Sequence, residues 1–184
     1  ASFSSTENRD RAITTLRNLL DLYPIGGQAM WLYAAALEPQ DRDTFRRDVA
    51  RAVDRLHPGA EPLDFVGASL LSVGDEAKAA ETLSAGYARD CKPFRRGATR
   101  DNCDAWYWAL GGERLDDADR SIRRAVELEP KNSAFRDTAA VVAAARGEYA
   151  RASEEARQAA RLSPDDPYLI WQARRYARLA SEGT

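Results

Sequence analysis

The chain has 184 residues, a length that suits one domain with a substantial core and is too short for two ordinary domains. Its 30% charged, 44% hydrophobic and 9% aromatic residues are the balance of a packed globular protein and exclude a disordered tail. The 27 basic and 29 acidic side chains nearly cancel, and no apolar run approaches the roughly 18 residues that cross a bilayer, so we expect neither nucleic acid binding nor membrane insertion.

Helical signals follow one another along the whole chain. Ser4 and Glu7 form a capping box before the first apolar series, and Asp166 followed by Pro167 marks the start of the last helix. No segment alternates with the period of two that a strand requires. Ten helices are predicted, near residues 5–22, 27–38, 42–56, 61–73, 75–90, 102–111, 115–128, 133–146, 148–162 and 167–181.

The predicted helices recur with a fixed period. Prolines follow them at intervals of 34, 35, 37 and 34 residues, at Pro24, Pro58, Pro93, Pro130 and Pro164. The segments 117–131 (DADRSIRRAVELEPK) and 151–165 (RASEEARQAARLSPD) also align with two alanines and the proline each 34 residues apart. Small residues at fixed points let a neighbouring helix approach closely, and a proline past the helix end stops it. One supersecondary unit is therefore repeated.

This pattern resembles the tetratricopeptide repeat family, whose 34-residue unit is a pair of antiparallel helices. The first-helix signature of large, large, small and large residues occurs twice, as Met30, Tyr33, Ala34 and Leu37 and as Leu63, Val66, Gly67 and Leu70. The turn glycine and the second-helix alanine follow as Gly74 with Ala79 and as Gly147 with Ala152. The sequence departs from the family where Arg46 replaces the second-helix alanine and where residues 106–108 (WYW) are bulky.

The resemblance implies an all-α fold, a right-handed α-solenoid of antiparallel helix pairs with about ten helices in a single domain, 1–184. Its predicted parts are a half repeat at 5–24, four repeats at 27–58, 60–93, 99–130 and 133–164, and a terminal capping helix at 167–181. The series starts in the middle of a unit and the chain begins without Met. We therefore expect a processed product or an excised domain.

Residues that would support catalysis or metal binding are scarce. His57 is the single histidine and stands at a predicted helix end, and one histidine with two cysteines is too few for a catalytic triad or a zinc site. The glycine pairs Gly26-Gly27 and Gly111-Gly112 fall at predicted turns and lack the lysine that follows in a phosphate-binding loop. We expect no cofactor, no metal and no catalytic residue, and hence a protein that is not an enzyme.

Cys91 and Cys103 flank the one irregular connection of the series. The interval from Ala79 to Ala118 is 39 residues where the next interval is 34, which places about five extra residues here. Since the end of one helix pair lies near the start of the next in this fold, the two Cα atoms would come within the roughly 7 Å that a disulfide permits. A disulfide would indicate an extracytoplasmic location, in the bacterial periplasm or at the cell surface. The alternative is two small buried thiols in a cytoplasmic protein.

In the tetratricopeptide family the first helices of successive pairs line a concave groove that holds a segment of a partner. Carried over by register, the groove would be lined by Trp31, Ala35, Asp64, Ala68, Tyr107, Asp137 and Val141. Trp and Tyr are suitable anchors because they bury a large area at low entropy cost. A core position for Trp31 is the alternative.

These observations predict a non-catalytic module that binds another protein or a peptide segment, as part of a larger protein or assembly. One alternative is a structural module whose open ends form a homo-oligomer. The other is a regulatory appendage of an enzyme.

Overall fold

A computed structural model describes residues 6–22, 43–44, 47–48, 63–72 and 74–182. Within these ranges the chain consists of helices and short connections, without a strand. The helices are α1 (Thr6–Leu22), α2 (Leu63–Ser72), α3 (Glu76–Asp90), α4 (Ala98–Gly111), α5 (Leu115–Leu128), α6 (Ser133–Ala145), α7 (Tyr149–Leu162) and α8 (Pro167–Glu182). The all-α prediction is confirmed for these residues. The predicted helix 27–38 and most of 42–56 lie outside them.

Contacts within the chain define two units, Ala1–Gly86 and Tyr87–Thr184. In the first unit, α2 and α3 approach each other closely at Gly67. A Cβ atom at Gly67 would lie 2.5 Å from Cγ of Leu83, so a larger residue would force the two helices apart. The turn between them uses Gly74 at a φ of 78°, which a residue with a Cβ adopts only at a cost. The small residue and the turn glycine therefore stand where the repeat pattern predicts them.

The second unit begins with the antiparallel pair of α4 and α5. Gly112, in the left-handed conformation at a φ of 68°, ends α4 and reverses the chain. Asp101 in the first turn of α4 then faces Arg124 in the last turn of α5, with 2.7 Å between Asp101 Oδ1 and Arg124 Nη2. A bond between the start of one helix and the end of the next requires the two helices to run in opposite directions.

The next pair, α6 and α7, has the same arrangement. Ser133 at the start of α6 accepts a hydrogen bond from Ser163, just past the end of α7, with 2.9 Å between the hydroxyl oxygens. One turn further along α6, Arg136 donates to Glu155 at 2.8 Å, and both side chains are mostly buried. The two connections therefore fix α6 against α7 in the antiparallel sense.

The 34-residue period of the sequence is visible in the packing of the second unit. The alanines of the period, Ala118 and Ala125 on α5 and Ala152 and Ala159 on α7, are each 0% exposed. The starts of these two helices lie side by side, since Arg151 of α7 binds Asp119 of α5 at 2.5 Å. Alanine is required at the buried positions because a larger side chain would separate neighbouring helices.

Side-chain N-caps repeat with the same period. Asn132 Oδ1 accepts from the amides of Ala134 and Phe135 at 3.1 and 3.4 Å at the start of α6. Thirty-four residues later, Asp166 Oδ1 accepts from the amides of Tyr168 and Leu169 at 2.9 and 3.3 Å at the start of α8. These bonds satisfy amide groups that have no partner within their helix. Each of the two helices thus starts at a residue that the sequence specifies.

The last helix, α8, packs on the preceding pair. Tyr176 is 2% exposed and belongs to a core cluster with Ala140 and Ala143 of α6 and Ala152 and Ala156 of α7. The first half of α8 is buried as well, at Tyr168, Leu169 and Gln172. One face of α8 therefore covers the end of the α6–α7 pair.

The irregular connection contains the two cysteines. Their Sγ atoms lie 2.02 Å apart, which is disulfide distance, and the Cα atoms are separated by 5.5 Å. Helix α4 begins at Ala98, four residues earlier than predicted, because Gly97 at a φ of 104° turns the chain and its carbonyl accepts the amide of Asp101 at 3.0 Å. Part of the insertion is thus helix, which brings Cys103 back to Cys91.

Candidate partner-binding site

Four of the seven predicted groove residues fall before the second unit. Trp31 and Ala35 lie outside the described residues. Asp64 and Ala68 stand one turn apart on α2, where Asp64 is half-buried and Ala68 is buried. The other three residues lie in the second unit, where their surroundings are defined.

Tyr107, on α4, is 5% exposed instead of projecting into solvent. Its hydroxyl donates to Asp90 at the end of α3, with 2.5 Å between Oη and Oδ2, and its ring meets that of Tyr87 edge to face with centroids 6.1 Å apart. A hydrogen bond from Arg89, and a second from Tyr107, lower the pKa of Asp90 against the opposing effect of its burial. Tyr107 thus joins α4 to α3.

The neighbouring aromatic residues are only half-buried. Trp106 and Trp108 occupy the bulky departure from the repeat pattern, and the guanidinium of Arg114 covers the ring of Trp108 at 4.1 Å from its centroid. Arg114 itself has a positive φ of 49° at the start of α5. A cation over an indole ring is a favourable contact. The bulk at these positions is therefore accommodated at the edge of the helix pair.

Asp137 and Val141 stand one turn apart on α6 and are each 6% exposed. The Oδ1 atom of Asp137 is buried and has no hydrogen-bond partner among the described residues. Polar atoms in such positions are rare because leaving one without a partner costs about 1–3 kcal/mol. Asp137 is therefore the predicted groove residue whose chemistry the described part of the chain does not satisfy.

The electrostatic surroundings of Asp137 favour its neutral form. Burial, with the negative charge of Asp166 adding to it, raises the pKa of Asp137 to about 7. Asp166 is held in place by capping α8, so this repulsion is built into the start of that helix. Near neutral pH the carboxyl group is therefore divided between its acid and its carboxylate forms, and a cation or hydrogen-bond donor placed beside it would favour the carboxylate.

A polar cluster on α8 lies within electrostatic reach of Asp137. Gln172 is 0% exposed, and its amide nitrogen donates to the hydroxyl oxygens of Tyr168 at 3.1 Å and Tyr176 at 3.4 Å. Its carbonyl accepts from Arg175 at 3.3 Å. Burial above all, together with the charge of Asp137, raises the pKa of Tyr176 to about 12, so both tyrosines remain neutral and their hydroxyl groups protonated. The cluster surrounds the carboxyl group with neutral polar groups.

The sequence analysis did not assign this cluster to the site. The signal for it is the spacing of four residues from Tyr168 to Gln172 and again from Gln172 to Tyr176, which places all three side chains on one helical face. Gln172 is also 34 residues after Thr138, another polar residue that is 3% exposed. A glutamine between two tyrosines on a buried face is thus a recognisable polar position of the repeat.

Groups that bind metals do not gather in the described residues, where no three His, Cys, Asp or Glu side chains are arranged to hold an ion. His57 lies outside these residues. No helix in the same ranges is both long enough and apolar enough to span a bilayer.

No protein-family model matches the chain, and no curated protein matches it. Among solved structures, it is similar to a chain of "Structure of Naa15/Naa10 bound to HypK-THB", with 21% sequence identity and a TM-score of 0.44. The similarity covers 92% of this chain and 31% of the other, so this chain corresponds to about a third of that one.

Proposed function

We propose that the chain is a non-catalytic protein–protein interaction module that binds a segment of a partner at α6 and α8. Asp137 lies at the centre of this proposed site. The observation that carries the proposal is its buried Oδ1 atom, which no described residue bonds, at a position that the repeat pattern assigns to the binding face. Because the fold gains nothing from an unsatisfied carboxyl group, a partner that supplies a donor there would recover the lost hydrogen bond.

The chemistry of the site defines the partner segment. A carboxyl group that is 6% exposed and has an adjacent acid favours a cation, so the segment would carry Lys or Arg. Val141, one turn further along α6, offers an apolar contact beside the charge. The segment is therefore basic, with apolar residues at intervals. Trp31, Ala35, Asp64 and Ala68 remain predicted contacts through the register of the repeats alone.

The test is binding of the 184-residue chain to an array of peptides of varied charge and apolar content. We expect selected peptides to combine basic and apolar residues, and the isosteric variant Asp137→Asn to bind them at least about tenfold more weakly, since it removes the charge but keeps the shape. Glu113→Gln is the matched control, because it removes an exposed carboxylate from the turn between α4 and α5. Equal binding by wild type and Asp137→Asn, with both folded, would contradict the proposed site.

The oligomerisation alternative is separated by mass. A module whose binding face is reserved for another protein should scatter light as a monomer at all concentrations. A mass that rises with concentration, and falls again in a variant that loses peptide binding, would show that the site is occupied by a second copy of the chain.

A further inference from the structure

A second surface of the molecule is basic and lies outside the site on α6 and α8. Residues 92–97 (KPFRRG), called here the basic loop, join α3 to α4 and are all exposed. Phe94 is 42% exposed, and Lys92, Arg95 and Arg96 supply three cations without an acid in the loop. An exposed aromatic side chain among cations is a combination that the packing of the helices does not require.

The backbone of the basic loop is held at several points. The amide of Phe94 donates to the carbonyl of Cys91 at 3.0 Å, and Cys91 itself is at disulfide distance from Cys103. Arg100, in the first turn of α4, donates through Nη1 to the carbonyl oxygens of Cys91 at 3.1 Å and Phe94 at 2.9 Å. The exposed side chains therefore project from a fixed backbone, which reduces the entropy lost when they bind a partner.

The cations of the basic loop differ from other arginines of the second unit in lacking a carboxylate. Arg100 is bonded to Asp104 at 2.8 Å, and Arg124 to Asp101 at 2.7 Å. No ion pair or side-chain hydrogen bond joins Lys92, Arg95 or Arg96 to any residue within the described ranges. Three neighbouring charges of one sign without a counter-charge favour an acidic partner.

We propose that the basic loop is a docking site for an acidic segment of a partner protein that carries an apolar residue beside its carboxylates. The carboxylates would pair with Arg95 and Arg96, whose planar guanidinium groups bind carboxylates through two parallel hydrogen bonds. The apolar residue would pack on Phe94, which buries a large area at low entropy cost. This docking site is distinct from the basic-segment site at Asp137 and has the opposite charge preference.

A protein segment fits this loop better than an anionic membrane. The loop offers three cations on six residues, while the chain as a whole has a net charge of −2. A bilayer surface would meet the surrounding acidic residues as well as the loop, whereas an extended segment contacts the loop alone. The local excess of positive charge is therefore available to a small partner.

The test is fluorescence titration of the full chain with labelled peptides of about 12 residues that combine Glu or Asp with Leu or Phe. We expect binding that weakens with salt, and that falls at least about tenfold in Arg95→Glu/Arg96→Glu and in Phe94→Ala. The control Arg161→Glu/Arg174→Glu makes the same change in charge at exposed positions on α7 and α8 and should bind within about twofold of wild type. Asp137→Asn should also leave this binding unchanged, which separates the two sites.

A parallel titration uses vesicles of phosphatidylserine and phosphatidylcholine. Binding to vesicles through Phe94 and the two arginines, without binding to acidic peptides, would overturn the proposal in favour of a membrane contact. Absence of binding to both probes would overturn it as well. Circular dichroism of each variant confirms that a loss of binding is not a loss of fold, as expected for exposed loop residues.

Discussion

Tyr107 and Asp90 are joined by a hydrogen bond of 2.5 Å across the junction between α3 and α4, directly beside the pair formed by Cys91 and Cys103. The bond ties the last residue of one helix to the middle of the next. Since both cysteines lie in the same junction, covalent and non-covalent connections act on one segment of the chain.

Replacing Tyr107 with Phe should destabilise the protein by about 1 kcal/mol at neutral pH, because the aromatic packing on Tyr87 is kept while one hydrogen bond to a charged group is lost. Chemical denaturation at pH 7 measures this. The pKa of Asp90 is lowered in the folded state, so its contribution is present at neutral pH and lost as the pH falls through that lowered value. A penalty that does not shrink at acid pH would contradict the assigned bond.

The pH dependence of stability should carry the signature of Asp137. Its pKa is raised in the folded state to about 7, so its neutral form is favoured and stability falls as the pH rises from about 4 through 7. Asp137→Asn should remove this loss, becoming more stable than wild type by on the order of 3 kcal/mol at pH 8 and about equal to it at pH 4. Melting temperatures across this range provide the measurement. The exposed Asp165→Asn should follow the wild-type curve, and parallel curves for all three proteins would show that Asp137 is not desolvated.

The alanines of the 34-residue period should not tolerate a charge. Ala118→Asp and Ala152→Asp each place a carboxylate at a position that is 0% exposed between helices, and we expect a loss of at least about 3 kcal/mol or failure to fold. Ala177→Asp makes the same change on an exposed position of α8 and should cost less than about 1 kcal/mol. Circular dichroism with urea denaturation distinguishes these results. Similar stability for all three variants would refute the assigned repeat register.

Reduction should lower the melting temperature without abolishing the fold. The cysteines are 12 residues apart in sequence, and closing a loop of this length stabilises a protein by about 3 kcal/mol in the chain-entropy model. Oxidised protein should show no reactive thiol when denatured. The Cys91→Ala/Cys103→Ala variant should melt at a lower temperature that does not respond to reductant. Two reactive thiols in protein made under oxidising conditions would refute both the bridge and the extracytoplasmic location that rests on it.

The fold follows from the sequence where local signals agree with one another. Gly74 and Gly147 mark turns, and both have the positive φ that only glycine adopts freely. Ala118 and Ala152 are buried because their spacing and small size match the contact between helices. Such features depend on one or two residues and a period, so a single sequence reveals them.

The environment of the candidate site depends on tertiary packing and was harder to predict. Register places Tyr107 on the binding face, yet the ring is buried because the irregular connection brings the end of α3 against α4. Nothing local to Asp137 indicates that its carboxyl group is buried, since α8 begins some 30 residues later. The polar role of Gln172 likewise arises only when the last helix packs on the pair before it.

The repeated N-caps have a consequence for how the chain can change in length. Asn132 and Asp166 stand at equivalent points of successive units, each ready to start the helix that follows it. Removing residues 132–165 would join Lys131 directly to Asp166, so that α5 would be followed by a proline turn and a capped helix as it is now. The 34-residue segment between the caps behaves as a cassette that carries its own start signal. Insertion or loss of whole units at these two residues is therefore the route by which a chain of this kind can lengthen or shorten without a new helix boundary being invented.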